Sequence, residues 1–152
     1  MELKRTKYSE GNLFLIETEN KNKFIGLIIR RRGRTKLLMG YFWRLTDDFT
    51  DSISLAKENP LLITLFSGLG FEIGNWKVLG KYSKWNREEW EIPYFKRIVK
   101  YTNQIVYSAS KYDDNFKESF ERKITKEESE LLFQEVVHGY LSLENHLDMM
   151  VK

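Results

Sequence analysis

The chain has 152 residues, of which 41% are hydrophobic and 31% charged, with a formal net charge of +3 and no cysteine. This composition suits one folded domain with a core of useful size, and it excludes a disordered chain, a disulfide framework, thiolate metal centres and thiol nucleophiles. The run LLITLF is far too short to span a membrane and MELKRTK carries no apolar signal stretch, so a cytoplasmic protein without membrane contact is expected.

Glu10-Gly11-Asn12 is a turn signal, and Leu13 to Ile16 follows as an apolar run that suits a strand buried on both faces. Glu19 to Lys23 is a polar turn whose asparagines tolerate left-handed backbone. Phe24 to Ile29 makes a second strand, in which Gly26 marks a bend or a close backbone approach. A basic tip, Arg30-Arg31-Arg32-Gly33-Arg34-Thr35-Lys36, leads into a third strand from Leu37 to Trp43. Three strands joined by short polar turns form an antiparallel meander, and a glycine within it would let the sheet curl. Asp47, Asp48 and Asp51 then surround Phe49 in a loop. Ser52 to Glu58 could form a helical turn, stopped by Asn59-Pro60. Leu61 to Phe66 reads as a fourth strand. GLGFEIG lacks the spacing of a dinucleotide fingerprint.

Trp76 to Gly80 alternates apolar with polar and reads as a short strand, with Gly74 and Gly80 as turn or bulge positions. Beyond it Trp85, Trp90, Tyr94 and Phe95 are spaced among Lys84, Arg87, Glu88, Glu89 and Glu91. Two roles are open to these rings. They plug the end of a sheet, as most aromatic clusters do, or some stay exposed and grip a partner. Phe95 to Lys100 and Gln104 to Ser108 suggest a last pair of strands, and Lys111 to Lys123 is polar without a clear pattern. Thr125-Lys126-Glu127-Glu128 fits a capping box. Leu132, Val136, Tyr140, Leu143, Leu147 and Met150 then recur at helical steps, which predicts one amphipathic helix over 125–151. Gly139 would weaken its middle or mark close packing.

No pattern points to catalysis, a cofactor or a metal. His138 and His146 are eight apart on the expected helix, not four, so they do not form a zinc pair. No G-x-S-x-G and no glycine-rich phosphate loop is present, and Glu88-Glu89 and Asp113-Asp114 read as solvated neighbours. Arg30, Arg31, Arg32, Arg34 and Lys36 could track phosphates, with Tyr41, Phe42 and Trp43 near them. The plainer role for such a tip is to discourage edge pairing. Abundant acids elsewhere argue against a dedicated nucleic-acid module.

Gly11-Asn12-Leu13-Phe14-Leu15-Ile16, a polar turn, and Phe24-Ile25-Gly26-Leu27-Ile28 together resemble the opening of the immunity protein 26 family. Trp76-Lys77-Val78-Leu79-Gly80 is similar to that family's second motif, and Pro93-Tyr94-Phe95 to the segment after it. The resemblance covers roughly residues 8 to 100. It departs from the family at Asn12, where Asp is favoured, and at Glu17, where Pro is favoured. It implies an immunity protein of a bacterial polymorphic-toxin system, which neutralises a cognate toxin by binding it, not by turnover. On that basis the candidate toxin-binding residues are Trp85, Glu88, Glu89, Trp90, Glu91 and Tyr94, with Asp47, Asp48 and Asp51 as a second patch. Acidic patches suit a basic, nucleic-acid-directed toxin, although the chain's own balance is basic. The expected fold is α+β: a strongly bent antiparallel sheet, as in a half-open barrel, with the carboxy-terminal amphipathic helix packed on it.

Overall fold

The computed structural model describes residues 7–45, 57 and 59–151. Strands β1 (Asn12–Glu17), β2 (Lys23–Arg31), β3 (Leu37–Leu45) and β4 (Leu62–Ser67) form the expected antiparallel meander. A single helical turn, α1 (Leu69–Glu72), leads to β5 (Trp76–Lys81). After a 3-10 turn at Arg87–Glu89 come β6 (Phe95–Lys100), β7 (Ile105–Tyr112) and β8 (Glu118–Ile124), then α2 (Lys126–Ser129). Two short strands, β9 (Phe133–Gln134) and β10 (Val137–His138), precede α3 (Tyr140–Met150). Among the described residues the strands make a six-stranded sheet, ordered β10-β4-β3-β2-β1-β5, and a four-stranded sheet, ordered β8-β7-β6-β9. The α+β class, the bent, largely antiparallel architecture and a carboxy-terminal helix are as the sequence predicts. The sheets remain open and do not close into a barrel. Among the described residues, no helix is long and apolar enough to cross a membrane.

Alternation along β1 to β4 sends side chains to two separate cores. Phe14, Ile16, Phe24, Ile28, Phe42 and Phe66 face one side, where Phe71, Trp76 and the α3 residues Leu143 and Leu147 cover them. Leu13, Ile25, Leu27, Met39, Tyr41 and Leu65 face the other, where Trp90, Ile92, Phe95 and Phe116 cover them. Phe14 is the hub of the first core: its ring centroid lies 4.7 Å from Phe71, 5.7 Å from Phe42 and 5.8 Å from Trp76. It stands opposite Gly26 in the β1–β2 register. A methyl group at Gly26 would come within 2.3 Å of Phe14 Cζ. Gly26 therefore marks a close approach, one of the two roles expected of it.

The bend in β2 arises elsewhere. Its register with β3 shifts between Ile28 and Arg30, leaving Ile29 as an extra residue. The bulge sets Arg30 opposite Met39, on the second-core face, and carries it into the interior. Gly80 sits at the corresponding shift in β5, with φ +111°. In the β1–β2 turn the left-handed residue is Lys21, not an asparagine. Asn20 and Asn22 instead donate their amides to Asp148 of α3, at 3.0 and 2.9 Å, and Thr18 Oγ1 donates to the same carboxylate at 2.7 Å. That carboxylate ties the turn to the helix.

The long helix expected over 125–151 is broken in two. Its capping box forms as predicted: Thr125 Oγ1 accepts from the Glu128 amide at 3.0 Å, and the Glu128 carboxylate accepts from the Thr125 amide at 3.1 Å. The helix then lasts only to Ser129. Residues 133–138, which include Val136 and Val137, pair in parallel with both sheets, Phe133 with Phe95 and Val137 with Leu65. Those ladder bonds replace helical ones, and β-branched residues favour the exchange. Gly139 lies at the start of α3 in extended backbone, not in a helix interior, and among the described residues a methyl group there would meet nothing within 4 Å. Of the six stripe residues only Leu143 and Leu147 are fully buried.

Gly26→Ala is expected to destabilise the fold by ~1–3 kcal/mol through overpacking against Phe14. Urea titration will show this as a lower midpoint at unchanged slope. Phe14→Leu added to that background should recover part of the loss, because the two sites are coupled.

Candidate partner-binding surface

The loop between β5 and β6 is built from its aromatic residues outward. The Tyr82 amide donates to Gly11 O at 2.8 Å, and the Trp85 amide to Tyr82 O at 3.0 Å. The Trp85 ring lies against Gly11, which has φ +86° and where a methyl group would come within 2.7 Å of Trp85 Cδ1. Gly11 is thus required twice, for its backbone and for the ring above it. Asn86 caps the 3-10 turn by accepting from the Glu88 amide at 3.2 Å. Trp90 follows, only 4% exposed. Its ring meets Tyr41 at 5.2 Å, Trp43 at 5.9 Å and Tyr82 at 6.4 Å, each edge-on. Tyr41 Oη donates to Glu91 O at 3.1 Å, and Ile92 is buried behind it.

The expected partner-binding residues therefore fall into different environments. Trp90 is a core anchor and not a contact surface. Trp85 is half-buried. Glu88, Glu89 and Glu91 are exposed on a backbone that Trp90 and Ile92 hold from below. Tyr94 is exposed too, with Lys111 Nζ 5.1 Å from its ring centroid. The structure brings these acids and Tyr94 onto one anchored loop. Asp47, Asp48 and Asp51 lie outside the described residues, as does most of the expected 52–58 helical turn.

Beneath this loop runs a charged chain that adjacency in sequence does not reveal. Arg87 Nε meets Glu10 at 2.9 Å and Arg87 Nη1 meets Asp114 at 3.2 Å, while Arg30 Nε meets Asp114 at 2.9 Å. The Arg30 hydrogen bond, reinforced by Arg87, holds the Asp114 carboxyl below the usual carboxylate range. Asp114 is thus solvent-exposed, as the sequence suggested, and paired as well. Arg30 is 5% exposed, so it does not belong to an exposed basic tip. Arg31 is half-buried. Arg32 and Arg34 are exposed, and Lys36 pairs with Glu72 at 2.8 Å.

A second network, also unforeseen, lies on the four-stranded sheet. Arg97 donates to both carboxylate oxygens of Glu135, at 2.7 and 2.8 Å, and reaches Glu118 at 2.9 Å. Tyr112 Oη donates to Glu135 at 2.7 Å, and Ser110 Oγ donates to it as well. Burial alone would raise the Glu135 pKa, but the Arg97, Ser110 and Tyr112 hydrogen bonds outweigh it and hold it low. Five separated positions supply this cluster, so no spacing in the sequence could announce it. With every partner satisfied, it braces β9 against β6.

The two histidines do meet, although not through helical spacing. His138 is on β10 and His146 on α3, and their rings stack at 5.0 Å between centroids. His138 Nδ1 bonds Ser142 Oγ at 2.7 Å, and Nε2 has no hydrogen-bond partner among the described residues. Burial first, and the His146 charge second, push the His138 pKa down. Among the described residues, no group of three or more His, Asp or Glu could hold a metal ion.

The protein is thus an open, two-sheet α+β fold presenting a braced acidic loop. The immunity protein 26 family model matches residues 9–106, and the chain belongs to that family. No curated protein and no solved structure matches it. The matched segment runs from just before β1 into the start of β7. Most of β7, and all of β8 to α3, lie beyond it.

Trp90→Ala is expected to cost ~3–5 kcal/mol of stability, as for other buried aromatic truncations. Combined Glu88→Gln, Glu89→Gln and Glu91→Gln should stay within about 0.5 kcal/mol of the parent. Chemical denaturation of the two variants separates the anchor from the surface. For His138 the folded pKa lies below the ordinary 6.5, so the unfolded chain takes up its proton first as pH falls. The stability due to the neutral ring is fully present above pH 6.5 and is lost as pH drops through the folded value. His138→Phe should flatten that part of the stability–pH curve. His146 and Lys96, which line the same cavity, are unchanged in that comparison.

Proposed function

We propose that this protein is an immunity protein that binds a cognate toxin of a bacterial polymorphic-toxin system in the cytoplasm of the producing cell and neutralises it by association, without turnover. Membership of the immunity protein 26 family carries this reading. The docking surface is the loop bearing Glu88, Glu89 and Glu91, with Tyr94 and the half-buried Trp85 beside them. Preorganisation supports the choice. The acids are presented by a capped turn and a buried tryptophan, so little ordering entropy is spent on binding. Exposed acids would raise the on-rate toward a basic partner and fix its orientation, while the aromatic rings supply apolar contact. Asp47, Asp48 and Asp51, which follow β3 in the chain, form a second acidic patch on sequence grounds.

Affinity capture from the native cell tests the proposal. The parent should retain one stoichiometric protein whose toxicity is relieved when the two are co-expressed. Glu88→Gln/Glu89→Gln/Glu91→Gln should lose that protein and the protection while keeping its melting temperature. A toxin held equally well by the triple variant would remove this loop from the interface. The absence of any stoichiometric partner would remove the function.

A further inference from the structure

An open cavity of about 630 Å³ lies beside the β2–β3 tip, on ground the toxin-binding loop does not use. Lys7, Tyr8, Asn12, Arg31, Arg34 and Lys36 contribute to its wall. Arg31 is the fixed point. Its Nη1 donates to Tyr8 O at 2.5 Å and its Nε to Thr35 O at 3.0 Å. The guanidinium carbon lies 4.4 Å from the Tyr8 ring centroid, and that ring stacks on Phe71 at 4.7 Å. Arg31 is therefore half-buried and immobilised, yet among the described residues no carboxylate bonds its side chain. Its hydrogen-bonding partners are neutral carbonyls, which leave the charge uncompensated and Nη2 unspent.

The surroundings add to that charge. Lys7 and Arg34 make no ion pair among the described residues. Lys36 is shared with Glu72, the one acid of the cavity wall among the described residues. Glu10 is close in the chain, but its carboxylate is engaged by Arg87 and by the Arg31 backbone amide. A rigid guanidinium offering a free donor edge, with exposed cations around it, matches a tetrahedral dianion better than a single carboxylate. An extended polyanion fits poorly. Both faces of Tyr8 are already occupied, by Arg31 and Phe71, so no base can stack there. A phosphate chain leaving the cavity would also meet Glu72.

We propose that this cavity binds a compact phosphate dianion, either the free ion or the terminal group of a small phosphomonoester, with Arg31 as the fixed grip and Lys7 and Arg34 closing over it. The proposal stands independently of toxin binding.

Titration of the full chain by calorimetry tests it, using inorganic phosphate, glycerol phosphate and sodium chloride at matched ionic strength. Saturable binding of inorganic phosphate that chloride does not reproduce is expected. Lys7→Ala/Arg34→Ala, both at exposed positions, should weaken it about tenfold or more through lost charge-assisted bonds while the melting temperature in chloride is unchanged. Glycerol phosphate binding at least as tightly assigns the site to a phosphomonoester; tighter binding of inorganic phosphate assigns it to the free ion. Three results would overturn the proposal. The first is a response no larger than chloride gives. The second is unaltered affinity in the double variant. The third is a single-stranded oligonucleotide binding more tightly than either phosphate, with the steep salt dependence of a polyanion track.

Discussion

The central sheet is apolar on both faces, and every other part of the fold answers to that constraint. A sheet with one wet face needs one covering layer; this one needs two. Phe14, Phe42 and Phe66 demand cover on one side, and Leu27, Met39 and Tyr41 on the other. The first cover is α3 with Phe71 and Trp76. The second is the Trp90 loop together with the inner end of the four-stranded sheet. Removing either would expose an apolar surface too large for water to tolerate at small cost.

This shared duty explains why the acidic loop is so well braced. Its inner residues are structural, because Trp90 and Ile92 complete a core. Its outer residues, the exposed Glu88, Glu89 and Glu91, carry no such duty. On the proposed function, surface specificity would change without disturbing the anchor. The Arg30–Asp114–Arg87–Glu10 chain strengthens the separation, since it pins the turn without using Glu88, Glu89 or Glu91.

The meander was legible because its signals are local. The apolar runs at Leu13 to Ile16 and Phe24 to Ile29 and the polar turns beside them act within a few residues, as do the alternation and the glycine brackets of the Trp76 to Gly80 strand. The majority role for the aromatic cluster was also legible, and Trp90 fulfils it. What failed depends on contacts between distant segments. Leu132, Val136, Tyr140 and Met150 sit at helical steps, yet parallel pairing with Phe95 and Leu65 takes residues 133–138 out of any helix. His138 and His146 looked separate because their spacing was judged on that same helix. Arg30 looked like part of a surface tip because a one-residue bulge, which turns it inward, leaves no mark in composition. The second sheet was half visible, since Lys111 to Lys123 lacks alternation. Its inner side holds the Arg97–Glu135 network in place of a plain apolar face.

Residues 133–138 join the two sheets, with β9 in one and β10 in the other, and Thr64 Oγ1 donates to Val136 O at 3.2 Å between them. These are parallel pairings to strands laid down far earlier in the chain, so they close large loops and must form late. A ribosome making this protein would therefore hold an unfinished molecule until that stitch had cleared the exit tunnel, with the free edges of β4 and β6 waiting. One short segment thus caps an edge of each sheet.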